Sequence, residues 1–359
     1  MRYIKHRIYG ALFKLYKYTY VEKNRVTFII DSNESFKGNL DYIKKEFEKR
    51  GNFDFHFFYK DKLSFSAFKT LASSRFIFLN DNFFPLAFMN FSPKNIVVQL
   101  WHAPGAFKKF GGSVDLKSRK VLKKAGEHTD YLIVSSRNIQ EFYREAFQIP
   151  KTKIKPLGLP RADYYFEDHD IEDLKSKFFE KYNFSSDKKI ILYTPTFRDE
   201  EKYNNVFDFL DLEKFNESLG DEYVLALRLH PKIKNFYKDD ISAGGDYIDC
   251  SDYPSEQELL LISDILITDY SSIMIEFALL NKPIVFFTYD YDSYLNKERG
   301  FYFDFKSTVP GPVVYDSNQL IDVIKNHEFD ESRILEFVKT QFDEIDGHAS
   351  ERVVDYLLK

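Results

Sequence analysis

The feature that most constrains this chain is an alternation, sustained from residue 26 to 288, of short β-rich apolar runs with helically patterned segments. In the first half the runs are Val26–Ile30, Phe53–Tyr59, Phe76–Leu79, Ile96–Leu100 and Tyr131–Ser135, with helices predicted near 39–50, 64–72, 114–127 and 136–147. In the second half they are Ile190–Thr194, Val224–Leu229, Tyr247–Asp249, Ile265–Thr268 and Ile284–Thr288. Nearly continuous apolar strands belong to parallel sheets covered by helices on both faces. The length of 359 residues suits two such domains. The expected fold is therefore α/β, with two Rossmann-like domains at 1–155 and 156–335. Residues 336–359 form a C-terminal helix that packs back toward the first domain. The joint is placed at Pro150–Pro160, which holds three prolines and Gly158. Working residues then belong at strand carboxyl ends and helix N-termini.

Composition narrows the function classes. Charged residues at 30% and hydrophobic ones at 44% describe a globular chain. The single cysteine, Cys250, excludes an intramolecular disulfide framework and a multi-cysteine zinc site, and suits a reducing compartment. No apolar stretch approaches the roughly 18 residues of a spanning helix, and no signal-peptide pattern is present, so neither is expected. A pI near 6.0 argues against a nucleic-acid partner. The net charge of −5 is uneven: residues 1–20 carry five basic side chains and no acid, leaving −10 on the other 339. Within that segment Ile4, Ile8, Ala11, Leu12 and Leu15 form a helical stripe, joined by Tyr9, Phe13, Tyr16, Tyr18 and Tyr20. The pattern reads either as a membrane-surface element or as a first helix packed on the body with its charges solvated.

The polar residues at strand ends carry the chemistry. Trp101-His-Ala-Pro-Gly105 follows the run Ile96–Leu100 and places His102 where a histidine can accept a hydroxyl proton. Residues 108–124 hold seven basic side chains against Asp115, a patch for acidic lipid or a diphosphate, or simply a solvated face. In Tyr193-Thr-Pro-Thr-Phe-Arg-Asp199, Pro195 ends the strand and leaves the Thr196 hydroxyl and Arg198 to meet a ligand. Arg228 and His230 share one face of an extended segment, a cationic pair suited to a pyrophosphate or else a buried structural pairing with an acid. After Ile265–Thr268, Ser271 and Ser272 open a helix whose N-terminal amides can hold an anion, while Glu276 can accept bonds from ribose hydroxyls. N-capping accounts for one of the two serines. Asp290-Tyr-Asp292 is read as loop.

These motifs, in this order, resemble the CDP-glycerol glycerophosphotransferases of teichoic acid biosynthesis. The resemblance adds Gly158-Leu-Pro-Arg161, Arg299-Gly-Phe-Tyr-Phe-Asp304 with Pro310-Gly-Pro312, and Asp346-Gly-His-Ala-Ser-Glu-Arg352, and spans roughly residues 95–355. It implies a glycosyltransferase-B-like pair of domains, with the CDP-polyol bound by the C-terminal one and the acceptor and membrane met by the N-terminal one. The family transfers a polyol phosphate to a hydroxyl of an undecaprenyl-diphosphate-linked glycan and releases CMP. By resemblance His102 is the base, Arg228 and His230 join the catalytic set, and donor contacts fall on Arg161, Pro195, Thr196, Arg228, His230, Ser271, Ser272 and Glu276. No metal or other cofactor is required in this reading. The Trp-His-Ala-Pro-Gly variant and short length resemble the primase branch, with capsule and ribitol-phosphate relatives as alternatives. The implied location is peripheral, on the cytoplasmic face of the membrane. Two other readings share the fold: a nucleotide-sugar glycosyltransferase releasing a nucleoside diphosphate, and a non-catalytic membrane scaffold.

Overall fold

The computed structural model describes residues 3–16, 18–31, 36–184, 187–230, 247–297 and 300–359. The chain divides into two compact units, Met1–Phe166 with Thr340–Lys359, and Glu167–Lys339. In the first unit six parallel strands run in the order β2-β1-β3-β4-β5-β6. These are β1 Glu22–Ile30, β2 Asp54–Tyr59, β3 Ser74–Leu79, β4 Ile96–Gln99, β5 Tyr131–Val134 and β6 Ile154–Pro156. Period-two alternation splits the apolar side chains between two cores. Val26, Phe28, Ile30, Phe76, Phe78 and Val98 pack with the helices Asn39–Arg50 and Ala349–Leu358. Ile29, Ile77, Leu79 and Val97 pack on the opposite side with Phe13 and the helix Phe65–Ser73. Phe28 is in register with Phe57 on β2 and Phe78 on β3, and its ring stacks at 5.5 Å on each.

The second unit repeats the plan in the order β12-β11-β10-β7-β8-β9, again all parallel. Its strands are β7 Lys189–Thr194, β8 Tyr223–Leu227, β9 Ile248–Asp249, β10 Ile265–Thr268, β11 Ile284–Phe287 and β12 Val313–Val314. In each sheet the strand order reverses at one place, between β1 and β3 and between β7 and β10. The crevice at the carboxyl ends of such a pair is where α/β sheets bind ligands. Cys250 is buried, and burial pushes its thiol up to about 12, so it is a packing residue.

The boundary between units lies at Phe166, beyond the expected Pro150–Pro160 joint. Ile154–Pro156 pairs with β5 as an edge strand, a place that tolerates proline. The 3₁₀ segment Pro160–Phe166 that follows is fixed to the C-terminal helix Ala349–Leu358. Asp163, buried, accepts from the amides of Ala349 at 2.9 Å and Ser350 at 2.8 Å, satisfying two otherwise orphaned donors of that helix. Arg352 donates from Nε to the Leu157 carbonyl at 3.0 Å and from Nη1 to Asp346. Gly158 has φ +111°, and a Cβ there would lie 2.6 Å from that of Ala349. The motifs at 158–161 and 346–352 thus form a clasp. Replacing Asp163 by Ala should lower stability by about 1–3 kcal/mol, read as a lower urea midpoint at unchanged slope.

The N-terminal helix Ile4–Phe13 buries Gly10 and Phe13 and packs Tyr9 and Leu12, partly buried, on the same core. A Cβ on Gly10 would fall 2.3 Å from the Phe88 carbonyl oxygen, which fixes this close approach. Ile4, Ile8 and Leu15 are 54%, 53% and 75% exposed, and Tyr18 and Tyr20 also face outward. The helix is therefore docked on the body and still presents Ile4 and Ile8 to solvent. The basic helix Arg119–Glu127 packs on the same 3₁₀ segment, Phe84–Phe88. The Arg7 guanidinium and the Lys124 ammonium lie 5.9 and 5.5 Å from the Phe88 ring centroid. The two basic segments, separate in sequence, are neighbours on one surface.

Candidate active site

In the first unit the chain leaves β4 through a left-handed residue, Trp101, at φ +59°. For a bulky residue that conformation costs of order 1–3 kcal/mol and persists only where its surroundings hold it. Trp101 donates its N–H to Gln99 Oε1 at 2.8 Å, and its carbonyl accepts from Asn39 Nδ2 at 2.9 Å. Its indole stacks on Phe110 at 5.3 Å and meets Phe147 edge-on at 5.1 Å. The strained turn presents His102 with 41% of its side chain exposed. His102 Nδ1 lies 3.1 Å from the Asn80 carbonyl. A carbonyl only accepts, so Nδ1 carries the proton and Nε2 keeps the lone pair, the tautomer a general base needs. The buried amide of Asn39 does a second job: its Oδ1 accepts the Arg161 N–H at 2.9 Å. Asn39 therefore ties the Trp101–His102 turn to the Gly158–Arg161 loop. Arg161 belongs to this unit and not, as the expected boundary put it, to the second.

In the second unit the centre of the arrangement is Arg198, which is 1% exposed. It was expected to be free for a ligand; it is instead a buried counter-ion. Its Nε and Nη2 form a fork on Asp290 at 2.6 and 3.0 Å, and its Nη1 lies 2.8 Å from Asp269. The rings of Tyr270, Tyr289 and Tyr294 surround the guanidinium at 4.9, 5.5 and 5.3 Å. Burial alone lowers its proton affinity, but the two carboxylates more than offset this and hold Arg198 charged, well above its ordinary range. The Tyr270 phenol donates to Asp290 at 3.1 Å, and burial with the nearby carboxylates raises its pKa. The Thr196 hydroxyl, also expected to be free, donates to Asp269, which further accepts the Thr196 N–H at 2.9 Å. Asp290, read from sequence as loop, is an essential partner. Asp269 and Asp290 escaped notice as scaffold because their shared cation is distant in sequence.

The remaining expected residues lie on the same sheet. Pro195 is buried at the end of β7. Ser271 and Ser272 precede the helix Ile273–Ala278; Ser271 accepts the Ile273 N–H at 3.3 Å, while Ser272 makes no side-chain capping bond. Glu276, in that helix's first turn, is 1% exposed. Arg228 follows β8 half-buried, and its Nη1 donates to the carbonyls of Cys250 at 3.3 Å and Tyr253 at 2.9 Å. It is held by carbonyls and not by the buried acid of the structural alternative. His230 is exposed, its ring 5.9 Å from that of Phe197. Pro231 and Arg299 lie outside the described residues. The structure thus gathers Pro195, Thr196, Ser271, Ser272 and Glu276 around the β7/β10 reversal, with Arg228 and His230 after the adjacent β8. His102 and Arg161 form a separate group in the first unit. Among the described residues no cluster of three or more His, Cys, Asp or Glu could hold a metal ion.

The profile of a family described as CDP-glycerol:poly(glycerophosphate) glycerophosphotransferase matches residues 11–359. The chain belongs to that family. It is 36% identical to the teichoic acid poly(ribitol-phosphate) polymerase of Bacillus spizizenii over all of this chain and 60% of the polymerase. It is 39% identical to the teichoic acid ribitol-phosphate primase of the same organism, over 80% of this chain and 75% of the primase. The chain thus spans about three-fifths of that polymerase's length. A solved structure of the wall teichoic acid polymerase TagF superposes with a TM-score of 0.82 at 27% identity, covering 99% of this chain and 94% of that one. A further TagF structure is of crystals soaked with CDPG. Two Rossmann-like domains of the glycosyltransferase-B-like class are the fold of this chain.

Replacing Arg198 by Gln leaves Asp269 and Asp290 buried without a counter-charge. The expected loss is about 3–5 kcal/mol of stability, measured by urea unfolding.

Proposed function

We propose that this chain transfers a polyol phosphate, from CDP-glycerol or CDP-ribitol, to a hydroxyl of an undecaprenyl-diphosphate-linked glycan and releases CMP. The observation that carries the reading is the fixed tautomer of His102, a half-exposed imidazole whose Nε2 lone pair is left for an acceptor hydroxyl. Family membership supplies the donor class, and the TagF crystals soaked with CDPG support it. In the reaction His102 Nε2 takes the hydroxyl proton as the oxygen attacks the β-phosphorus. The bond from that phosphorus to the bridging oxygen breaks, and the electron pair leaves with CMP. Arg228, His230 and the amides at Ser271–Ser272 hold the diphosphate and the charge that grows on CMP. Positioning and positive charge suffice for such a transfer, so no metal or other cofactor is assigned. Pro195 and Thr196 shape the donor loop, and Glu276 is assigned the ribose hydroxyls.

The test offers CDP-glycerol and CDP-ribitol in parallel with a synthetic lipid-diphosphate disaccharide, with CMP read by chromatography and added units by mass spectrometry. His102→Ala should lower kcat by about 10²–10⁴-fold with donor binding unchanged. Release of a nucleoside diphosphate in place of CMP would overturn the reading in favour of a sugar transferase.

The membrane is the natural source of a lipid-linked acceptor, and the first unit offers a surface for it. Ile4 and Ile8 are exposed on the N-terminal helix and Leu15 in the turn after it, and Arg7 of that helix shares the Phe88 ring with Lys124 of the basic segment. Apolar side chains flanked by lysine and arginine suit the boundary of an anionic bilayer. No helix among the described residues is long and apolar enough to cross a membrane. We assign this surface to peripheral docking on the cytoplasmic face. The double variant Ile4→Glu, Ile8→Glu should sediment several-fold less with anionic vesicles and remain folded; unchanged sedimentation would dismiss the assignment.

A further inference from the structure

The carboxyl edge of the first sheet ends in a row of polar side chains, of which the proposed reaction uses His102 alone. Lys60 follows β2, Asp31 follows β1, Asp81 lies just beyond β3, and His102 just beyond β4. The strand order β2-β1-β3-β4 sets them side by side in that sequence. The Lys60 ammonium bridges the carboxylates of Asp31 and Asp81. Asp81 Oδ1 lies 3.8 Å from His102 Nδ1, while the same nitrogen donates to the carbonyl of the preceding residue, Asn80. Gln99 Nε2 holds the Asp81 carbonyl at 2.9 Å, and the Asn82 amide bonds the Asp81 side chain. The charged groups facing Asp81 are thus Lys60, Asp31 and His102.

We propose that Asp81, charge-balanced by Lys60, is a positioning residue that sets the proton affinity of His102. The inference rests on the reading of His102 as the base. When His102 accepts the substrate proton at Nε2 it becomes an imidazolium with Nδ1–H already in place. An anionic oxygen 3.8 Å away stabilises that cation. Lys60 is needed because Asp31 and Asp81 are like charges in one partly buried place. Burial and the neighbouring Asp31 raise the proton affinity of Asp81, and Lys60 opposes them. Without Lys60 the two carboxylates would be left to share a proton, which takes charge off Asp81. Nothing in this arrangement requires the carboxylate to touch substrate.

The test is a direct titration of His102 in the intact protein by NMR of labelled histidine, with its resonance assigned by its loss in His102→Gln. Asp81→Asn should lower the His102 midpoint by about one pH unit, and Lys60→Gln, which removes the cation that keeps Asp81 ionised, should lower it as well. Asp81→Glu should restore most of the original value, and Lys60→Arg keeps the cation if the Gln variant fails to fold. The acid limb of the kcat/KM profile should move in the same direction as each midpoint, with KM unchanged. A His102 midpoint unmoved in both Asp81→Asn and Lys60→Gln overturns the inference. Midpoints that move as expected, in a protein whose His102→Ala variant keeps full turnover, sustain the coupling and overturn the base assignment instead.

Discussion

One buried cation organises the carboxyl end of the sheet in the second unit. Removing a guanidinium from water is costly unless its donors are matched, and Arg198 matches them with a two-point fork on Asp290 and a contact to Asp269. The three residues follow three adjacent strands, β7, β10 and β11, so a single charge cluster fixes three loops at once. Asp269 passes the constraint to Thr196, and Tyr270 passes it to the turn that carries Ser271 and Ser272. The three loops are therefore held in place by the protein's own charges. A site that must stabilise charge on a departing group benefits from that rigidity, since little reorganisation accompanies the reaction.

How much of this was legible in the sequence follows the same physics. Helix-covered parallel strands bury both faces, so β10 at Ile265–Thr268 shows as an apolar run with the boundaries the structure gives it. The two missed strands are edge pieces of three and two residues: Ile154–Pro156 lies in the proline-containing stretch read as the joint, and Val313–Val314 directly follows Pro312. Arg198 was misread because a cation after a strand looks the same whether it meets a ligand or an acid 92 residues further on. Lys60, Asp31 and Asp81 went unnoticed for a similar reason. Each is one polar residue ending an apolar run, and only the strand order brings them together. His102 was legible because a turn motif singles it out within a few residues.

The aromatic load has a structural account. In the first unit Phe28 contacts Phe36, Phe55, Phe57 and Phe78, and Phe47 contacts Phe53, Phe76 and Phe78. Phenylalanine fills one face of this sheet where Val or Ile is more usual. In the second unit the tyrosines serve a cation instead, with rings around Arg198 and one hydroxyl on Asp290. The same residue class thus does packing in one unit and charge shielding in the other.

The left-handed turn at Trp101 has a practical consequence. It is the only tryptophan in the chain, and its ring lies 4.1 Å from that of His102. All indole emission from the unlabelled protein therefore originates beside the proposed base, in a niche lined by Phe110 and Phe147. Protonation of the neighbouring imidazole quenches such an emitter, and a substrate that excludes water shifts its colour. The protein carries its own optical reporter, placed beside His102.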